Sequence, residues 1–79
     1  MQKIKQDLSI GKNMKELREQ AGFTQEQAVA KLQLEGLSVS REMLSQMERG
    51  GYNVAVSILI ALKRIYKVES FDLFFKDLV

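Results

Sequence analysis

Four side chains of one predicted helix can form directional hydrogen bonds with a partner: Arg41, Glu42, Ser45 and Gln46. Arginine and glutamine present paired hydrogen-bonding groups, glutamate accepts hydrogen bonds, and serine both donates and accepts them. Met43, Leu44 and Met47 lie at helical spacing on the other side of the segment. One face of this helix can therefore be buried while the polar face stays available for recognition.

The helix that precedes these residues has a defined start and end in the sequence. Thr24, with Gln27 three residues later, fits a capping box, and Gly36 is expected to end the helix. Its apolar stripe consists of Ala28, Val29 and Leu32. We therefore predict a second helix that leads directly into the connection before the recognition segment.

The connection, residues 34–40, combines polar residues with three apolar ones that we expect to turn inward: Leu34, Leu37 and Val39. Ser38 or Ser40 is expected to cap the third helix, because a serine hydroxyl accepts a hydrogen bond from an amide of the first turn. Gly50 and Gly51 are expected to close that helix, since glycine tolerates positive φ.

Three further helices are predicted around this pair. The first carries apolar residues at a period of three to four up to Ala21, with Ser9 as its expected N-cap and Gly22 as its end. The fourth spans residues 54–66, and Ser70 is expected to cap a fifth, which carries the aromatic residues of the C-terminus.

These elements predict an all-α, compact five-helix fold, because no strand pattern extends over more than a few residues. The 79 residues are expected to form one domain. Within it we distinguish a short basic lead at residues 1–8, the two-helix unit at residues 24–50 and an aromatic C-terminal helix at residues 70–79.

The composition argues against catalysis and against cofactor or metal binding. The chain contains no cysteine, which excludes disulfides and a thiol nucleophile. It also contains no histidine, the commonest general base and metal ligand. A chain of this length also buries only one modest core and leaves little room for a large pocket. We therefore expect no enzyme activity, no cofactor and no metal site.

The charge distribution is more informative than the net charge, which is only +2. Between Arg41 and Lys67 the sequence has five basic residues and two acidic ones, a pattern that fits either an anionic partner or a solvated helical surface. The N-terminal stretch lacks the apolar run of a signal peptide, and no stretch approaches the roughly 18 apolar residues of a membrane span. A soluble protein of the cytoplasm is expected.

From about Ile10 to Phe74, the order of these features resembles the lambda-repressor-like family of helix-turn-helix proteins, also called the Cro/C1 or XRE type. The stretches that carry the resemblance are Ile10-Gly11-Lys12 with Leu17-Arg18, Gly22-Phe23-Thr24-Gln25 with Ala28, and Ser40-Arg41 with Leu44 to Gly50. The connection between Leu32 and Ser40 is several residues longer than the tight turn usual in the family. The sequence is thus similar to a longer-turn variant.

The resemblance implies that the third helix lies in the major groove of double-stranded DNA while the start of the second helix contacts the backbone. Arg41 can pair with guanine, Gln46 with adenine, Ser45 can donate or accept, and Glu42 can accept from cytosine or support the helix cap. Backbone contacts are expected from five further residues: Thr24, Gln25, Arg49, Gly50 and Asn53.

Other interpretations stay open for several of these residues. Gln25 is either a contact to phosphate or adenine, or a first-turn helix residue without contact to DNA. Arg41 either reads a base or pairs with Glu42 on the surface. Arg49 suits a phosphate, but the C-terminal end of a helix favours arginine in any case. Tyr52 is expected to cover the core rather than to stack on the DNA backbone.

Two further expectations from the resemblance concern structure. Arg18 and Glu48 occupy positions at which family members often form a buried ion pair between the first and third helices. Ala28 is either required to be small, because two helices approach closely there, or is a generic helix former.

The C-terminal helix carries more apolar surface than a small domain can readily hide. An exposed patch of this kind often marks an interface, and we expect a dimer interface formed by Phe71, Leu73, Phe74, Phe75 and Leu78, with Val79 also exposed. A two-fold dimer spans two half-sites of DNA, which raises both affinity and specificity.

The leading hypothesis from the sequence is a transcriptional regulator, a repressor that binds a palindromic operator as a homodimer. Two alternatives stay open. One is the antitoxin of a toxin–antitoxin pair, with DNA and a toxin as its partners. The other is a protein-interaction adaptor that keeps the helix-turn-helix shape without reading DNA.

Overall fold

The computed structural model describes residues 3–4, 8–51 and 53–78, and for residues 3–4 it describes the backbone alone. Its elements are α1 (Gly11–Gln20), α2 (Gln25–Leu34), α3 (Arg41–Glu48), α4 (Val56–Ile65) and a 3-10 helix (Phe71–Phe75), with two short strands, β1 (Lys3–Ile4) and β2 (Val54–Ala55). The expectations for Tyr52, Val79 and most of the basic lead fall outside the described residues.

The structure corrects the expectation of a chain without strands. β1 and β2 pair in antiparallel fashion, with Lys3 opposite Ala55 and Ile4 opposite Val54. Each strand is two residues long, too short for alternation to be visible in the sequence. The fourth helix consequently begins two residues later than predicted, at Val56.

Side-chain caps start the second and third helices as predicted. The Thr24 hydroxyl accepts a hydrogen bond from the Gln27 amide at 3.1 Å, and the Gln27 side chain accepts one from the Thr24 amide at 2.9 Å, which completes the capping box. Ser40 caps α3 by accepting from the Met43 amide at 3.0 Å. The N-cap of α1 is Ile10 rather than Ser9, although the Ser9 hydroxyl accepts from the Gly11 amide.

The four α-helices of the described residues end in the same hydrogen-bonded turn, but with different residues at its left-handed position. Gly22, Gly36 and Gly50 end the first three helices at φ of 81–83°, as predicted. The fourth ends at Lys67, which adopts φ of 56°. Its amide donates to Arg64 O at 3.2 Å and the next amide, of Val68, donates to Lys63 O at 2.9 Å, the pattern of a Schellman motif.

One hydrophobic core connects all the helices. α1 and α2 pack against α3, α4 packs against α2, and the 3-10 helix packs against α1. The largest side chains that are fully buried come from six elements: Met14, Leu32, Leu44, Met47, Val54, Leu62 and Phe74. This packing holds α3 on two supporting helices. No helix of the described part of the chain has the length and apolarity needed to cross a bilayer.

The α2–α3 connection is only partly as expected. Val39 is buried, and its carbonyl accepts a hydrogen bond from the Gln33 side chain at 2.9 Å, which anchors the connection to α2. Leu37 is half-buried. Leu34, expected to turn inward, is instead 87% exposed, since the last turn of α2 points it away from the core.

The count of five α-helices is not confirmed. The described residues form four α-helices, and the C-terminal segment is a 3-10 helix of five residues capped by Ser70, whose hydroxyl accepts from the Asp72 amide. The buried side chain of Asn13 donates to Phe74 O at 3.0 Å and to Lys76 O at 2.9 Å. These two bonds tie the C-terminal segment to α1.

Candidate nucleic-acid interface

The polar face of α3 is available to a partner. Arg41 and Glu42 are exposed, while Ser45 and Gln46 are half-buried. On the opposite side, Leu44 and Met47 are buried in the core, with exposed fractions of 0% and 1%. Arg41 does not pair with Glu42 within the described residues. The four predicted readout residues therefore share one accessible helix face.

The start of α2 lies beside this face. Thr24 is exposed, but its hydroxyl and its amide are both engaged in the capping box described above. Arg41 Nη1 approaches Gln25 Oε1 at 3.4 Å, a long hydrogen bond that connects the first residues of α2 and α3. The two segments predicted to meet DNA are therefore neighbours in space.

A buried ion pair fixes α3 to α1. Arg18 Nε donates to Glu48 Oε2 at 2.8 Å, and Arg18 Nη2 donates to Glu48 Oε1 at 3.1 Å, so the pair is bidentate. The side chains are only 9% and 3% exposed. Arg18 Nη1 also donates to Phe23 O at 2.8 Å. The hydrogen bond to Glu48 raises the pKa of Arg18 above its ordinary value, which keeps the guanidinium charged.

Gln25 extends this pair toward Arg41. Its side-chain amide donates to Glu48 Oε1 at 3.0 Å, while its carbonyl oxygen faces Arg41. A continuous series of hydrogen bonds thus runs from Arg18 through Glu48 and Gln25 to Arg41. From the sequence, Gln25 was predicted either to contact DNA or to be a first-turn residue without contact to DNA, so this intramolecular role was missed. No sequence signal reveals it, because Gln25 and Glu48 lie 23 residues apart.

Tyr66 is a buried neighbour of the ion pair. It is 6% exposed, and its ring lies 6.0 Å from that of Phe23, between ring centres. Its hydroxyl oxygen has no hydrogen-bond partner among the described residues. Burial, with a smaller contribution from the charge of Glu48, raises the pKa of the Tyr66 phenol well above its ordinary value. The phenol is therefore neutral throughout the physiological range.

The close approach of α1 to the end of α3 depends on glycine. A β-carbon built on Gly11 would lie 2.6 Å from Met47 O and closer still to Glu48 O. The following turn is similarly tight, since a β-carbon on Gly50 would lie 2.8 Å from the Ser9 β-carbon. These contacts set the position of the C-terminal end of α3. From the sequence, Gly11 was named only as part of the family resemblance, and this close contact was not predicted.

The remaining residues predicted to contact the DNA backbone follow α3 directly. Arg49 and Asn53 are exposed, and Gly50 is half-buried. The structure thus brings these three residues together at the turn between α3 and β2.

The residues of the predicted dimer interface differ in burial, and Phe74 does not fit the prediction. Phe74 is fully buried in the core of its own chain, so it offers no surface to a second copy. The two most exposed members of the set face different grooves. Phe71, 39% exposed, borders a groove with α4, whereas Leu73, 40% exposed, borders one with α1. Phe75 and Leu78 are half-buried.

Among the described residues, no group of three or more acidic side chains is placed to hold a metal ion. The sequence model of the helix-turn-helix family matches residues 14–73. The chain is also 35% identical over 70 residues to the HTH-type transcriptional regulator ImmR of Bacillus subtilis (strain 168). That match covers 89% of this chain and 51% of ImmR, so the chain spans about half the length of this relative. No solved structure matches the chain.

Proposed function

Because the chain belongs to the lambda-repressor-like (XRE) helix-turn-helix family, we propose that it binds DNA in a sequence-specific manner and regulates transcription. The observation that carries the proposal is the accessible polar face of α3, which is supported from behind by the core and by the Arg18–Glu48 pair. The relative ImmR, by its name a transcriptional regulator, supports the same function.

In the proposed complex, α3 lies in the major groove and its exposed side chains contact base edges. Arg41 pairs with guanine and Gln46 with adenine, each contributing roughly 1–3 kcal/mol of discrimination against the wrong base. Ser45 and Glu42 contact neighbouring bases. Gln25 orients the Arg41 side chain before DNA arrives, because Arg41 and Gln25 already approach each other in the free protein.

The backbone contacts come from two places in the proposed complex. The first amides of α2, next to Thr24 and Gln25, suit a phosphate oxygen because the positive end of the helix dipole points toward it. Arg49, Gly50 and Asn53 contact phosphate on the other side of α3. These contacts fix the register of the domain on the duplex.

We further propose that the protein acts as a homodimer on a palindromic operator and represses transcription. Leu73, with the half-buried Phe75 and Leu78, supplies the apolar surface for self-association. A symmetric dimer uses the same patch on both subunits, and two copies of α3 then read two half-sites.

The test begins with selection of bound oligonucleotides from a random pool, followed by fluorescence anisotropy on the selected site and on random DNA. Gln46→Ala is expected to weaken binding to the selected site about 5- to 150-fold while binding to random DNA is kept. Arg49→Ala should weaken both and reduce the slope of log affinity against log salt by about one. Lys15→Ala, at an exposed position of α1, is the matched control.

Two results would count against the proposal. Equal losses on both DNAs for Gln46→Ala would remove Gln46 from base readout. Absence of DNA binding, or DNA binding that does not depend on salt, would favour the protein-interaction adaptor. The DNA affinity of a protein that contacts phosphates falls strongly with salt, because binding releases counterions.

A further inference from the structure

An open groove of about 490 Å³ lies between α4 and the 3-10 helix, and six residues line it: Ile60, Lys63, Arg64, Lys67, Val68 and Phe71. Three of these side chains are apolar and three are cationic. None of the six is acidic. The groove is separate from the polar face of α3 and has no part in the proposed reading of DNA.

The apolar part of the groove is accessible and rigidly supported. Ile60 is 47% exposed and Phe71 is 39% exposed. The Phe71 ring lies 6.4 Å from that of the fully buried Phe74, between ring centres, so it rests directly on the core. Lys63 Nζ lies 5.3 Å from the centre of the Phe71 ring. Lys63 is half-buried, and its ammonium is placed for a cation–π contact with this ring.

The cationic part surrounds these side chains. Arg64 forms an ion pair with Glu35 at the end of α2, whereas Lys63 and Lys67 form no ion pair within the described residues. A ligand with carboxylates next to apolar groups would therefore meet unneutralised positive charge beside exposed hydrocarbon. This combination is complementary to an amphipathic segment with acidic residues along its edges.

Lys67 is the one described residue that ends an α-helix in the left-handed conformation without being glycine. Glycine adopts this conformation at no steric cost, whereas other residues pay roughly 1–2 kcal/mol. Glycine would therefore fit this turn with less strain, and the lysine side chain borders the groove.

The groove lies beside the C-terminal half of α4, at the opposite end of this helix from Asn53, which is proposed to contact DNA. Thr24 and Asn53 stand near the N-terminal ends of α2 and α4, whereas Arg64 and Glu35 join the C-terminal ends of the same two helices. Each helix has ten residues and is thus about 15 Å long. A duplex on α3 and a partner in the groove can therefore be bound together.

We propose that this groove is a docking site for an acidic amphipathic segment of a partner protein. Its apolar side chains cover Ile60 and Phe71, and its carboxylates pair with Lys63 and Lys67. A nucleic-acid backbone fits less well, because phosphates would meet the lysines but leave the apolar side chains in water. The proposal is independent of the DNA-binding function.

The test uses a fluorescein-labelled helical peptide of about 15 residues, with leucines on one face and glutamates flanking them. A control peptide carries lysine in place of every glutamate. We expect the acidic peptide to bind and to shift the amide signals of Ile60, Val68 and Phe71 in the spectrum of the ¹⁵N-labelled chain. The acidic peptide should not shift the amide signals of α3. The lysine peptide should neither bind comparably nor cause these shifts.

Three variants separate the groove from general charge effects. Lys67→Gly removes one cation without straining the turn and should weaken peptide binding about threefold. Ile60→Ser removes exposed hydrocarbon and should weaken it about tenfold. Lys15→Ala removes the same charge as Lys67→Gly outside the groove and should leave binding unchanged. Affinity for DNA should be the same in all three.

Several results would overturn the proposal. These are equal weakening by Lys67→Gly and Lys15→Ala, equal binding of the two peptides, or no binding of the acidic peptide. A loss of self-association in Ile60→Ser would instead identify the groove as a contact between copies of this chain. A loss of DNA affinity in Lys67→Gly that matches the loss of peptide affinity would identify it as a phosphate contact.

Discussion

At the scale of single residues, the pair formed by Arg18 and Glu48 determines how firmly α3 is held. Burying two charges costs several kcal/mol of desolvation, so the intact pair adds little net stability. Removing one partner leaves the other charge buried and unpaired. We expect Arg18→Ala to lower the free energy of unfolding by about 3–5 kcal/mol, measured by urea denaturation.

The matched control for this experiment replaces both partners with apolar residues, Arg18→Met together with Glu48→Leu. The double variant should recover most of the lost stability, since no charge remains buried. An unfolding curve for Arg18→Ala that coincides with that of the wild type would show that the pair is solvated in solution.

A second prediction concerns the buried phenol of Tyr66. Its pKa is raised in the folded protein, whereas in the unfolded chain it is about 10. Above about pH 10 the unfolded state therefore loses a proton that the folded state retains, so stability falls as pH rises. Tyr66→Phe should reduce this fall and, by removing a hydroxyl without a partner, should stabilise the protein by about 1 kcal/mol at neutral pH.

Urea denaturation at several pH values between about 7 and 11 measures both effects. Parallel loss of stability in the variant and the wild type above pH 10 would rule out Tyr66 as the cause. A variant less stable at neutral pH would show that the hydroxyl forms a hydrogen bond in solution.

The sequence predicts some of these residue contacts and not others. The ion pair between Arg18 and Glu48 could be predicted, because the family resemblance places the two residues on helices that pack together. The bond from Gln25 to Glu48 could not be predicted, since it depends on the distance between two helix ends. That distance is set by core packing and by the close contact at Gly11, which local sequence patterns do not encode.

At the scale of elements, the contact between α1 and the end of α3 leads to a prediction about Gly11. Alanine favours a helix over glycine by about 1 kcal/mol, so Gly11→Ala would stabilise an isolated helix. Its β-carbon would instead collide with Met47 O, a backbone atom that cannot move alone. We expect a net loss of about 2 kcal/mol in stability and weaker DNA binding, because α3 must shift.

Gly51→Ala is the matched control, since its nearest contact, Gln46 O, lies 3.9 Å from the added carbon. It should change stability by no more than about 0.5 kcal/mol. If Gly11→Ala proved as stable as Gly51→Ala, the helices would be less closely packed than the structure shows.

Elements with strong local signals were predictable. The caps at Thr24 and Ser40 and the glycine ends of three helices were read from residue types that act within one turn. The strand pair was not predictable, because a strand of two residues shows no periodicity and β1 and β2 lie far apart in the sequence. The 3-10 geometry of residues 71–75 was not predictable either, since the segment is bound to α1 through Asn13, which lies far away in the sequence.

At the scale of the whole molecule, self-association can be tested through Leu73. Leu73→Glu places a charge on the apolar surface proposed for the dimer and should yield a monomer in sedimentation experiments at micromolar concentration. Affinity for the palindrome should then fall to that for an isolated half-site. Leu34→Glu, at an 87% exposed leucine outside the C-terminal segment, should remain dimeric.

A wild-type protein that is monomeric at these concentrations and binds half-site and palindrome equally would contradict the dimer. The sequence could predict that this segment carries excess apolar surface. It could not predict how that surface is divided, because Phe74 enters the core while Phe71 and Leu73 face different helices.

The pairing of β1 with β2 has a practical consequence for the choice of fragment in later experiments. Ile4 lies opposite Val54, directly after Asn53, and Lys3 lies opposite Ala55, directly before α4. A shortened fragment that begins after Ile4 would lose both pairings and leave the backbone of Val54 and Ala55 without these partners. Titrations with such a fragment would therefore combine the loss of a strand with any effect of the side chains under study.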